Sequence, residues 1–204
     1  LRNNTTLVFP FYNNSHFNIT YIMKISLIRH GESEANVGYF INDDPSKPVH
    51  LTAKGIAQAE ALAAELRSEQ FTHAFVSEFP RAQETIKILL RDKTLPLNID
   101  PRLNERKSGL DGQHVNVFHD QIKQNPLHFK TPDGESFMEQ MQRLREFLDD
   151  VTALHPDAHV VAVAHENPIL AALGLTTSAE EVVNASLPNC GRVVLTWPPA
   201  TAQP

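Results

Sequence analysis

The sequence predicts an α/β fold, a three-layer α/β/α sandwich around a mostly parallel central sheet. Three observations lead there. Short apolar runs of strand length recur along the chain, at Lys24–Arg29, His73–Val76 and His159–Ala164. Longer stretches between them repeat their apolar residues at helical spacing. Two Ser-x-x-Glu capping boxes, Ser136/Glu139 and Ser178/Glu181, mark helix starts. Strands that alternate with helices need crossover connections, and crossovers make parallel neighbours.

Each element follows in order. Lys24–Arg29 is a short run with Ile25, Leu27 and Ile28 at its centre, bounded by Gly31, as expected for a central strand. Thr52 can cap a helix running to about Ser68, with Ile56, Ala59, Leu62, Ala63 and Leu66 on one face. His73–Val76 is a second strand, and Pro80 in a first turn opens a helix to about Arg91. A strand near Leu97–Ile99 precedes a long polar stretch, Pro101 to Pro132, with little periodicity and the character of a loop. Ser136 then caps a helix whose apolar face is Phe137, Met141, Leu144, Leu148 and Val151. His159–Ala164 is the most apolar strand, Pro168–Leu173 is helical, and Arg192–Thr196 is a last strand before a frayed, Pro-rich end from Trp197.

With 204 residues, 41% of them hydrophobic, the chain can bury a core of its own, and no second core or internal repeat is visible. A net charge of −6 lacks the concentrated positive field that nucleic acid or a membrane surface demands, so neither is expected as a partner. The single cysteine, Cys190, excludes an internal disulfide framework and a thiolate zinc cluster, and no apolar run is long enough to span a bilayer. A soluble, cytoplasmic protein is expected. Residues 1–22 are Asn- and Thr-rich, nearly uncharged and without the pattern of a secretory signal, and their sequons are accidents of composition. They are read as an extension outside the fold, or an artefact of the start site. Met23 opens the first strand, and 23–204 is read as the working domain.

Ligands of open α/β sheets bind beyond the carboxyl ends of the strands. Two strands here run directly into histidine: Ile28-Arg29-His30-Gly31 and Val163-Ala164-His165-Glu166. One histidine is most simply a satisfied core or surface side chain; two at equivalent strand ends, one beside Arg29, point to an anion site with a nucleophile.

Arg29-His30-Gly31-Glu32-Ser33-Glu34-Ala35-Asn36 resembles the signature of the histidine phosphatase superfamily, in its phosphoglycerate mutase-like branch. The likeness continues through Leu51–Ala59, Val76–Thr85, Arg102–Arg106, Pro132–Ser136 and the strand ending in His165, in the family's order. It implies a phosphoglycerate mutase-like fold and a metal-independent histidine acid-type phosphatase that hydrolyses a small phosphorylated metabolite and needs no cofactor. It implies His30 as the nucleophile forming phosphohistidine, Arg29 and Arg81 as the grip on phosphate, His165 as a stabiliser of the transferring group, and Glu105 as proton donor, then base. Ser33, Asn36 and the backbone N–H of Glu166 are added as donors to phosphate, and no metal is expected.

The chemistry is consistent with those roles. A phosphate monoester carries close to two negative charges, which paired guanidinium groups can bind bidentately. Nucleophilic attack requires a neutral His30, its other nitrogen plausibly donating to a backbone carbonyl, while Gly31 lets the chain turn sharply after the strand. A carboxyl group at its ordinary pKa is a poor acid near neutrality, so Glu105 should be raised by desolvation. The plainer alternatives are that Glu105 pairs with Arg102 or Arg106, that Ser33 and Asn36 cap a loop, and that Glu135 belongs only to the helix start at Ser136.

Two acidic residues depart from the family pattern. Glu166 follows the second histidine where glycine is usual, and Glu78 stands in the small-residue pair before Arg81. A carboxylate beside a dianion repels it unless turned away. The loop after Glu105 also lacks the aromatic expected of a mutase, so hydrolysis is favoured over phosphoglycerate mutase activity, with a non-catalytic phospho-ligand binding module third. Lys107, His114, Lys123 and Lys130 are candidates for a second anionic group, although a solvated face explains most of them. His155 and His159 are separated by Pro156 and make no metal site. The substrate and the oligomeric state are not read from the sequence.

Overall fold

The computed structural model describes residues 22–199; the expectation for residues 1–22 therefore lies almost wholly outside the described residues. Strand β1 (Met23–Arg29) is followed by a short helix α1 (Glu34–Gly38), α2 (Ala53–Glu65), β2 (His73–Val76), α3 (Pro80–Leu89), β3 (Leu97–Ile99) and a single 3₁₀ turn (Pro101–Leu103). Then come α4 (Val115–Ile122), α5 (Phe137–Leu154), β4 (His159–Ala164), α6 (Glu166–Gly174), α7 (Ala179–Val182) and β5 (Arg192–Trp197). The sheet has the order β3-β2-β4-β1-β5, parallel except for β5, which runs antiparallel to β1.

The period-two geometry of β4 makes the three layers. Val160, Ala162 and Ala164 pack with Ile25 and Leu27 against Leu144, Phe147 and Leu148 of α5 and Ile169 of α6. Val161 and Val163 face the other way, with Ile28, onto Leu62 of α2 and Ala82, Ile86 and Leu89 of α3. Both faces of a parallel sheet are thus covered, and its central strands must be apolar throughout.

The helix from Ser136 forms as expected, its capping box closed by Ser136 Oγ accepting from the Glu139 N–H and Glu139 accepting from the Ser136 N–H. Three expectations are corrected. The stretch 101–132 contains α4, an eight-residue helix that buries no side chain fully and half-buries only Val115, Phe118 and Ile122. Ile56 does not join the buried face of α2: it is 43% exposed, and Gly55 is turned inward instead. Trp197 is not frayed but closes β5, buried, with Nε1 donating to Asp149 Oδ1 at 2.7 Å.

Gly55 explains its own rotation. A Cβ there would lie 2.0 Å from the carbonyl oxygen of Glu32, and one on Gly31 would lie 2.5 Å from the carbonyl oxygen of Gly55. The start of α2 is pressed against the loop that follows β1. The positive-φ glycines are Gly109 and Gly112, so Gly31 is needed for this close approach rather than for a left-handed turn.

Candidate active site

Parallel pairing of β1 with β4 sets Arg29 opposite Ala164, so the next residue on each strand, His30 and His165, emerges at the same edge. Their rings meet edge to face with centroids 5.0 Å apart, and both side chains are buried. Arg81 arrives from the first turn of α3, placed by Pro80 at the helix start. Its Nε donates to His30 Nε2 at 3.2 Å and its Nη2 lies 3.3 Å from His165 Nδ1. Three of the four groups sought at one phosphate are thus in mutual contact, while the Arg29 guanidinium pairs with Glu166 and the Leu187 carbonyl and reaches the two rings through its charge.

The hydrogen bonds fix the tautomers. His30 Nδ1 is 2.7 Å from the carbonyl oxygen of Gly31, which can only accept, and Arg81 can only donate to Nε2. His30 is thus protonated at Nδ1 and carries its lone pair on Nε2. By the same logic His165 accepts at Nδ1 and donates from Nε2 to Ser77 Oγ at 2.8 Å. Burial, then the charge of Arg81, holds the pKa of each ring well below the usual histidine range; the Arg29 charge adds to both. Both imidazoles are neutral at neutral pH in the free protein. A phosphoryl dianion between them would reverse the repulsion that suppresses protonation of His165.

Arg81 is itself backed by a residue the sequence reading did not single out. Asn42 takes Arg81 Nη1 on its side-chain oxygen and Nη2 on its carbonyl, the latter at 3.2 Å. Burial draws the Arg81 pKa down to about 10, still far above neutrality, so the guanidinium stays charged.

Glu105 follows the 3₁₀ turn and is free of the guanidinium pairings that would have made it structural. Arg102 binds Asp100 and Asp150, and the Arg106 guanidinium binds the carbonyl oxygens of Glu135 and Phe129. Glu105 Oε1 instead accepts from the Arg106 N–H at 2.8 Å and Asn167 Nδ2 at 3.2 Å. Burial raises its pKa, opposed by the Arg106 N–H and by the charges of Arg81 and Arg29, as a carboxylic acid poised to donate requires.

Ser33 and Asn36 are largely occupied with one another: Asn36 Oδ1 accepts from the N–H and Oγ of Ser33 at 3.0 Å each and from Asn189 Nδ2 at 3.2 Å. They close the capping box of α1, and the loop-capping alternative describes this part of their bonding. Glu135 is held by Arg143 Nη2 at 2.6 Å, and Glu78 accepts from Asn104 Nδ2 at 2.6 Å, exposed. Lys123 and Lys130 pair with Asp120 and Glu139, while His114 caps α4. Among the described residues no cluster of three or more His, Cys, Asp or Glu side chains could hold a metal ion, and no helix is long and apolar enough to cross a membrane.

Residues 25–203 match the histidine phosphatase superfamily (branch 1). The chain belongs to that superfamily. It is 31% identical over 152 residues to an adenosylcobalamin/alpha-ribazole phosphatase of Escherichia coli, spanning 71% of this chain and 74% of that protein. It is 30% identical over 152 residues, 71% of this chain and 70% of the relative, to a protein of Enterobacter sp. named "Probable phosphoglycerate mutase GpmB". Among solved structures, the alpha-ribazole phosphatase from Shigella flexneri superposes with a TM-score of 0.74 at 27% identity, covering 84% of this chain and 89% of that one.

Asn42 and Asn167 of this histidine phosphatase carry no usable sequence signal, and Ser77, though inside the Val76–Thr85 motif, has no role assigned by it. Each supports an expected site residue from a distant element, and nothing in a loop asparagine or a post-strand serine announces which arginine, histidine or glutamate it will meet. Thr85 was inside a recognised motif, and it proves to accept the Gly31 N–H at 3.1 Å, tying α3 to the histidine loop.

Proposed function

We propose that the chain is a metal-independent phosphomonoesterase that transfers the phosphoryl group of a small metabolite to His30 Nε2 and then to water. The observation that carries this is the state of His30: neutral, its Nε2 lone pair directed at the site and held there by Gly31 and Arg81. Arg29 and Arg81 bind the phosphoryl oxygens, His165 supports the charge spread over them in a loose transition state, and Glu105 gives its proton to the departing oxygen. Water then attacks phosphorus with Glu105 as base, restoring the imidazole and releasing inorganic phosphate. Donation from the Glu166 backbone N–H, at the start of α6, and from Asn36 Nδ2 completes the cradle, while Ser33, both of whose donors go to Asn36 Oδ1, holds the loop rather than the phosphate.

The protonation states required by His30 and Glu105 make this an acid-type activity, faster below neutrality than above it. Alpha-ribazole phosphatases among the relatives favour hydrolysis of a small phosphomonoester, and Glu105-Arg106-Lys107-Ser108-Gly109 without an aromatic disfavours a mutase. Turnover of p-nitrophenyl phosphate in excess EDTA, followed by a panel of phosphorylated metabolites scored for inorganic phosphate, tests the reading. His30→Ala should lose roughly 10³-fold or more of the rate and all acid-labile phosphoryl labelling. Full activity in that variant, or mutase turnover without hydrolysis, would refute it.

A further inference from the structure

Glu166 places a carboxylate inside a site built for an anion. It is the first residue of α6, directly after His165. Its Oε1 accepts the Leu187 N–H at 2.7 Å and its Oε2 lies 3.0 Å from Arg29 Nη1, which also donates to the Leu187 carbonyl. Arg29 is therefore gripped at the Nη1 end alone, while its Nε is buried without a partner. The acid is not a mobile surface group: two fixed partners orient it, and its side chain is 26% exposed.

We propose that Glu166 is a specificity-determining residue of the phosphoryl site, one that offsets half of the guanidinium charge there so that inorganic phosphate is held weakly and leaves readily. The inference rests on the phosphatase reading above. With both imidazoles neutral, the attraction for a dianion comes from Arg29 and Arg81, and a carboxylate in contact with Arg29 reduces two positive charges to one. Ground-state affinity for the phosphoryl group is then limited at the step where it does no catalytic good, because tight binding of the product slows its departure without lowering the chemical barrier. The unpaired Nε of Arg29 remains available for an oxygen that arrives with the substrate. The carboxylate, turned onto Arg29 and Leu187, blocks no space where phosphorus must sit.

The test is calorimetric titration of the full chain with inorganic phosphate at constant ionic strength, comparing wild type, Glu166→Gln and Glu166→Asp. Glu166→Gln should bind phosphate at least about five-fold more tightly, as removal of a unit charge a few ångströms from a dianion requires. The product-inhibition constant should fall in parallel, and Glu166→Asp, which keeps the charge, should stay near wild type. Glu166→Ala carries the same expectation as Glu166→Gln and serves if that variant does not fold. Equal or weaker phosphate binding by the charge-neutral variants would overturn the inference, the weaker case showing that Glu166 merely holds Arg29 in place. Phosphate binding without turnover of any ester would refute the phosphatase reading alone, since the comparison among variants would still decide the role of Glu166; no binding by wild type or by any of the variants would overturn both.

Discussion

Ser77 Oγ lies 2.8 Å from His165 Nε2, joining the end of β2 to the end of β4 across the site. With Arg81 donating to the opposite nitrogen, the His165 proton sits on Nε2, and Ser77 Oγ accepts it and holds the ring in place. Ser77→Ala should lower kcat about ten-fold, the equivalent of ~1.4 kcal/mol of transition-state stabilisation, with a smaller change in KM. Steady-state kinetics on p-nitrophenyl phosphate would check this, and an unchanged kcat would show that the His165 ring is held in place without the serine.

Asn42 supplies both acceptors that orient the far end of Arg81. In Asn42→Ala the side-chain acceptor is lost and a buried charged donor is left short of a partner. KM should rise about ten-fold with kcat affected less, since the arginine remains charged but is no longer aimed. A loss confined to kcat would contradict this placing role.

The pH profile follows from the signs of two shifts. On the proposed mechanism turnover needs His30 neutral; its pKa is lowered by burial and by Arg81 and Arg29, so activity should persist below the ordinary histidine range and fall only at lower pH. It also needs Glu105 protonated; its pKa is raised by burial, so the proton is present below the raised value and lost as pH climbs through it. kcat/KM should therefore peak on the acid side of neutrality. Glu105→Gln should abolish the alkaline limb and slow alkyl phosphates by about 10²–10³-fold while slowing p-nitrophenyl phosphate far less, because nitrophenolate leaves without a proton. Equal penalties for both leaving groups would remove Glu105 from the acid role.

Gly55→Ala forces a methyl group against the Glu32 carbonyl, backbone on backbone, with no flexible side chain to yield. Overpacking of this kind costs about 1–3 kcal/mol, and the upper half of that range is expected here. Urea denaturation would measure it. A variant as stable as wild type would mean that α2 can slide away from the histidine loop at little expense.

Much of this was legible in the chain because it depends on local pattern. The strand before His30, the strand before His165 and the capping box at Ser136 are each written in fewer than ten consecutive residues, and the backbone carbonyl expected to fix the His30 tautomer is that of its neighbour Gly31. What stayed hidden depends on approach between distant segments. Ile56 has the spacing of a buried residue, yet the contact of Gly55 with the post-strand loop rotates it outward. α4 does carry a face at helical spacing, the half-buried Val115, Phe118 and Ile122, but it is only eight residues long and lies inside a polar stretch, so three apolar positions do not stand out. The Arg29–Glu166 pair was foreseen only as a difficulty, since the turning of the acid is settled by Leu187, contributed by the loop before β5.

The strand order has a temporal consequence. β4 lies between β1 and β2, so the edge on which His30 and His165 meet does not exist until a segment remote in sequence has been inserted between two that precede it. Closing such a long loop is slow compared with forming the helices α2 and α3 on either side of β2. A chain not yet extended through β4 therefore presents His30 without its partner ring, and the two histidines face one another only once β4 has docked between β1 and β2.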